Sequence, residues 1–247
     1  MKAYCVVQHT YSEFLGIIER QLEKRDIGFG YFRPFIGQAL PANALQFDAL
    51  FLLAGAFPVA DDEACPWLAD ELRAVKAFHN ADRPILGLGF GAHVLALHHG
   101  GQGHEEPEHT AHFTTAHKTA AGEGDAVAEV MDGRTVFVMH NGDVTLPESV
   151  APILVDDDGN WLAIRPVPMH YGLLFRPEMK PGMLEDMIME ANRPVPEHIG
   201  ELLIEARRRW EDLQATTDQL LVALVKELDL MRERRKPPVF SLKPSQD

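Results

Sequence analysis

Residues 84–96 read Pro-Ile-Leu-Gly-Leu-Gly-Phe-Gly-Ala-His-Val-Leu-Ala, an apolar strand that passes through a glycine-rich turn into a helix. A sharp strand-to-helix turn of this kind presents one side chain to a substrate and turns the next backbone N–H toward a developing oxyanion. The residue at that point is Gly89, which has no side chain to attack with. The two cysteines lie elsewhere, Cys5 in the first apolar run and Cys65 near a helix start, and they make neither a disulfide framework nor a zinc pattern. Histidine is abundant: six of the twelve crowd into His98, His99, His104, His109, His112 and His117, interleaved with Glu105, Glu106 and Glu108. Imidazole and carboxylate are metal ligands, yet no His-Glu-x-x-His spacing occurs and Gly100-Gly-Gln-Gly103 reads as a flexible surface loop. Neither a dedicated metal site nor a cofactor is expected.

The elements that must position these residues alternate between strand and helix, which predicts an α/β fold with a mostly parallel sheet covered by helices on both faces. Ala3–Gln8 reads as a first strand, and Phe14, Ile17, Ile18 and Leu22 carry helical spacing. Leu45–Leu53 reads as a further strand. Leu68, Leu72, Val75 and Phe78 fall at helical intervals behind the candidate caps Asp61 and Asp62, predicting an amphipathic helix over 64–79. A strand over 84–88 and a helix over 90–99 follow. From Thr110 to Phe175 the pattern alternates and is rich in turns, with Asp132-Gly133 and Asp158-Gly159 as hairpin-type signals, so an antiparallel section is expected there.

Four colinear segments carry a resemblance. Phe51-Leu-Leu-Ala-Gly-Ala-Phe-Pro-Val59 runs on into Asp61-Asp-Glu-Ala-Cys-Pro-Trp-Leu68; the turn over 84–96 comes next; then Met139-His-Asn-Gly-Asp-Val-Thr-Leu-Pro147 and Tyr171-Gly-Leu-Leu-Phe-Arg-Pro-Glu178. Together they resemble the class I glutamine amidotransferases over roughly residues 1–190, and the resemblance implies that family's domain over 1–193, with a C-terminal helical extension over 194–247. It places Gly89 at the position of the cysteine nucleophile, Arg176 at that of the histidine base, and Glu178 at that of the orienting carboxylate. It also places Gly55 and Phe90 as backbone oxyanion donors and His93 on a glutamine position four residues past the elbow. His140, with Asp143, reads as part of a turn at the edge of the old pocket.

Amide hydrolysis through a thioester needs a nucleophile at the elbow and a base within hydrogen-bond reach. Gly89 supplies neither, and a guanidinium stays protonated throughout the accessible range. Two readings of Arg176 follow: it pairs with Glu178, or the remnant pocket takes a small carboxylate or anion. Two readings of the whole chain also follow. One is a glutamine amidotransferase that passes ammonia to an acceptor enzyme; the other, favoured by the lost nucleophile and base, is a non-catalytic relative that serves as a binding or scaffold subunit.

A net charge of −14 over 247 residues argues against a nucleic-acid surface, and no apolar run reaches membrane-spanning length. The first residues enter a strand without a signal-peptide pattern, so a cytoplasmic protein is expected. In the C-terminal part, Ile199, Leu203, Ala206, Trp210, Leu213, Thr217, Leu220 and Leu224 repeat in steps of four and three, the spacing of one continuous helical seam between Pro194-Val-Pro196 and Pro237-Pro238. That seam either folds back onto the domain or forms a contact with a second copy or a partner enzyme. Arg232, Arg234, Arg235 and Lys236 are expected in its last turns, complementing the helix dipole.

Overall fold

A computed structural model describes residues 2–41, 43–59, 63, 65–189 and 198–236. Eight strands form one sheet: β1 (Ala3–Val7), β2 (Gly28–Phe32), β3 (Ala49–Leu52), β4 (Ile85–Leu88), β6 (His117–Lys118), β8 (Pro152–Val155), β9 (Trp161–Ile164) and β10 (His170–Leu173). Their spatial order is β2-β1-β3-β4-β10-β9-β8-β6. The first five positions pair in parallel and the remaining pairs are antiparallel. A separate antiparallel ribbon joins β5 (Gln102–Thr115) to β7 (Thr135–Thr145), so the antiparallel section falls where the alternating pattern places it.

Side-chain alternation along the strands divides the core in two. Tyr4, Val6, Phe51, Leu88 and Leu173 face α1 (Ile17–Glu23), α4 (Ala126–Met131) and α7 (Trp210–Glu227). Cys5, Val7, Leu50, Leu52 and Ile85 face α2 (Leu68–Asn80) and α3 (Phe90–His98). Helices therefore cover both faces, as the pattern predicts. The strand expected over 45–53 is shorter, because Ala44–Gln46 closes a 3-10 turn before β3. Asp132-Gly133 joins α4 to β7 and is not a hairpin, whereas Asp158-Gly159 does turn between β8 and β9. The candidate caps Asp61 and Asp62 lie outside the described residues, and α2 opens at Trp67 without a side-chain cap.

The C-terminal seam is two helices. It breaks at Arg209 (φ −91°, ψ 3°) into α6 (Ile199–Arg208) and α7. The two halves serve different apolar clusters: Leu202 and Ala206 pack with Phe137, Met183 and Leu184 of β7 and α5 (Pro181–Met189), while Leu220 and Leu224 join the main core. Thr217, Leu220 and Leu224 are buried within the chain, which is the fold-back arrangement. Helix α7 ends at Glu227, so the basic residues expected in its last turns run past it. There the Arg234 backbone N–H donates to Asp48 Oδ1, and Lys236 lies 3.0 Å from Asp48 Oδ2. The flanking prolines of the seam lie outside the described residues.

Candidate functional site

Four parallel strands, β1, β3, β4 and β10, end on the same edge of the sheet, where α/β folds gather their ligands. Each delivers a segment to that edge: Gln8–Glu13 after β1, Leu53–Gly55 after β3, Gly89 after β4 and Leu174–Glu178 after β10. Gly89 has φ 52° and ψ −115° at the start of α3, a left-handed turn that only glycine adopts without strain. Its N–H donates to Leu173 C=O (2.9 Å), and the Gly91 N–H donates to Leu53 C=O (3.1 Å), locking the turn between its neighbours. A β-carbon on Gly91 would meet Leu52 C=O at 2.2 Å, so glycine is required for α3 to cross this close. Phe90 begins α3, and its N–H therefore has no acceptor within the helix.

A β-carbon on Gly89 would lie 2.9 Å from Ala54 Cβ and 3.3 Å from Arg176 Cδ. Arg176 is buried, and its Nε donates to Glu178 Oε1 at 2.5 Å. Its Nη1 lies 2.9 Å from Glu13 Oε1, an ion pair between buried groups. Glu13 Oε2 accepts from Thr10 Oγ1 (2.8 Å). Burial works against the Arg176 charge, but Glu178 and Glu13 outweigh it and raise the pKa further. Burial pushes the Glu178 carboxyl up despite the opposing pull of Arg176.

Beside this cluster lies a second buried pair. His9 Nε2 is 3.0 Å from Glu71 Oε1, and Nδ1 is 3.2 Å from Ala54 C=O. Both ring nitrogens face acceptors, an arrangement that favours the doubly protonated imidazolium over the neutral ring. Burial alone would lower its pKa; Glu71 overcomes that and raises it. The His9 ring packs edge-on against Phe90 (4.7 Å between centroids), and a β-carbon on Gly55 would meet His9 Cβ at 2.7 Å. Gly55, Gly89, Phe90, Arg176 and Glu178 thus gather around one packed cluster of side chains.

His93, one turn along α3, and His140 meet each other with ring centroids 5.1 Å apart. His93 is fully buried, and neither ring nitrogen has a hydrogen-bond partner among the described residues. Burial holds it well below the ordinary histidine value. His140 Nδ1 donates to Gly142 C=O (2.8 Å), which closes a turn around it. Together with His112, Asp143 and Trp161, His140 lines a cavity of about 400 Å³ that Gly89, Arg176 and Glu178 do not touch.

His9, Glu13 and Glu71 are not marked by any motif in the sequence. Glu71 carries one signal: it sits on the same helical face as Leu68, Leu72 and Val75, a carboxylate on an apolar stripe. Both cysteines are buried and free, and neither stands at the elbow position. Cys5 lies within β1, and burial, helped by Glu71, pushes its thiol up to about 12. Cys65 Sγ approaches Pro58 C=O at 3.7 Å.

The parallel sheet, the elbow at the end of β4 and the motif following β10 define the class I glutamine amidotransferase fold. Solved structures that share it include a glutamine amido transferase from Methylobacillus flagellatus, with a TM-score of 0.80 and 18% identity over 98% of this chain and 99% of that one. A glutamine amidotransferase from Thermotoga maritima has a TM-score of 0.75 and 19% identity, covering 91% of this chain and 98% of that one. A putative GMP synthase subunit from Thermoplasma acidophilum has a TM-score of 0.54 and 18% identity, covering 87% and 98%. No protein-family model and no curated protein matches the chain. Among the described residues no helix is long and apolar enough to cross a membrane.

Proposed function

We propose that this chain is a glutamine amidotransferase-like protein that does not hydrolyse glutamine and acts in the cytoplasm as a binding or scaffold subunit. The observation that carries this reading is the pairing at the elbow: the nucleophile position is Gly89, and the Arg176 side chain packs against it while bridging Glu13 and Glu178. A covalent route needs an attacking atom and a base, and an arginine held between two carboxylates is neither. Removing a nucleophile from a catalytic unit costs on the order of 10^4- to 10^6-fold in rate. The same guanidinium is ion-paired to two buried carboxylates, Glu13 and Glu178, whose negative charge opposes capture of a further anion there. The alternative, an amidotransferase that releases ammonia to an acceptor, needs a nucleophile that no described residue at the elbow supplies.

The scaffold part of the proposal is supported by the fold's occurrence in the putative GMP synthase subunit, a protein named as part of a larger enzyme. The C-terminal helices are the surface assigned to a second copy or a partner enzyme. Their seam closes the chain's own core, which leaves the outer faces, where Ile204 and Val222 are exposed. A diazoketone analogue of glutamine, which alkylates an elbow thiolate, tests the chemical part. Intact-mass spectrometry is expected to show an unmodified chain; one stoichiometric adduct would overturn the proposal.

A further inference from the structure

Helices α2 and α3 run back from the elbow edge and end at the opposite edge of the sheet, where β10 begins. Their last turns carry His79 and His98, the residue closing α3 is His99, and β10 starts at His170. The four rings form one cluster, with neighbouring centroids 5.0 to 5.5 Å apart. His79, His98 and His99 each place a ring nitrogen within 4.8 Å of the other two. His99 Nε2 and His170 Nδ1 lie 3.0 Å apart, so one donates to the other and fixes the ring of His99. His79 Nδ1 is buried with no hydrogen-bond partner among the described residues.

We propose that His79, His98 and His99 bind a divalent first-row transition ion, zinc foremost, with His170 positioning His99. Three neutral imidazoles and an open fourth position are an established zinc ligand set. Imidazole also selects zinc, copper and nickel over the harder magnesium and calcium, which take oxygen ligands. The negative ends of two helix dipoles, those of α2 and α3, converge on the cluster and favour a cation there. His170 bonding to a ligand ring is the arrangement by which outer groups orient metal-bound histidines.

The site was hidden in the sequence because its ligands and the residue that positions them come from three places: α2, the end of α3 and the start of β10. The dense run from His98 to His117 contributes only its first two members. His104 bonds Thr145 and His117 bonds Asp157, both on the strands beyond.

The experiment uses the full chain without a histidine tag, stripped with a chelator and titrated with zinc against a chromogenic competitor, and in parallel with cobalt(II). One equivalent of zinc per chain is expected, with the intense visible bands of four-coordinate cobalt. His79→Ala and His98→Ala are expected to lose stoichiometric binding, and His170→Gln to weaken it roughly 10- to 100-fold. His104→Ala and His117→Ala are expected to bind as the parent does. Absence of zinc uptake by the parent protein, weak six-coordinate cobalt bands, or uptake unchanged in both His79→Ala and His98→Ala would each overturn the site. The parent titration decides even if a variant fails to fold.

Discussion

The β-carbon that Gly89 lacks would lie 3.3 Å from Cδ of Arg176, so the two positions where the family resemblance puts nucleophile and base are in direct contact. The arginine stem occupies room toward which an elbow side chain would project, and its head is fixed by Glu178 and Glu13. Glycine at one position and arginine at the other are therefore a matched pair. Restoring a side chain at Gly89 strains the arginine, and removing the arginine strands two buried carboxylates.

Gly89→Ala is expected to destabilise the fold by about 1–3 kcal/mol, since the turn has positive φ and the new methyl meets Ala54 Cβ at 2.9 Å. Ala54→Gly in the same chain should recover part of that loss. Urea midpoints of the two single variants and the double variant measure the coupling.

Arg176→Met is expected to cost about 3–5 kcal/mol, because Glu13 and Glu178 remain buried without their cation. The deficit shrinks as pH falls, since the orphaned carboxyls then take up protons. Equilibrium unfolding of parent and variant at two pH values, one on either side of neutrality, reads both the size and the sign.

His93 sets a pH slope. Burial holds its folded pKa well below 6.5, so the unfolded chain takes up a proton that the folded one refuses, and stability falls as pH drops below 6.5. His140, also lowered by burial, acts in the same direction. His93→Leu should flatten the acid limb of the Tm-against-pH curve. His9 acts oppositely: its raised pKa gives stability that is complete below 6.5 and lost as pH rises through the folded value. Glu71→Gln should remove that loss on the alkaline side.

Leu224, fully buried on α7, should cost about 2–5 kcal/mol on change to Ala. Val222, two residues away and exposed, should change stability by less than about 0.5 kcal/mol on the same substitution. Equal effects at the two positions in thermal unfolding would contradict a seam folded onto the domain.

Strand and helix order was legible because period-two and period-3.6 patterns are local, and the glycine-rich turn announced the elbow by itself. Gly28 and Gly30 dilute the pattern of β2, which pairs in parallel with β1 at the sheet edge. The seam spacing indicated which face of the C-terminal helices is apolar but not the break at Arg209, where the chain changes from one apolar cluster to another. The candidate site was half legible. Gly89, Arg176 and Glu178 follow strand ends within motifs, whereas Glu13 and Glu71 reach the cluster only through tertiary packing. His79 and His170 are far from the histidine-rich run, so nothing in the spacing joins them to His98 and His99.

Ammonia release from glutamine by the purified chain tests the central claim most directly, run beside a variant carrying Gly89→Cys, Arg176→His and Ala54→Gly. The native chain is expected to stay at the buffer background. Catalytic turnover by the native chain above that background would contradict the account, and its loss or survival after Cys5 and Cys65 are changed to Ser would say whether a cysteine supplies the nucleophile.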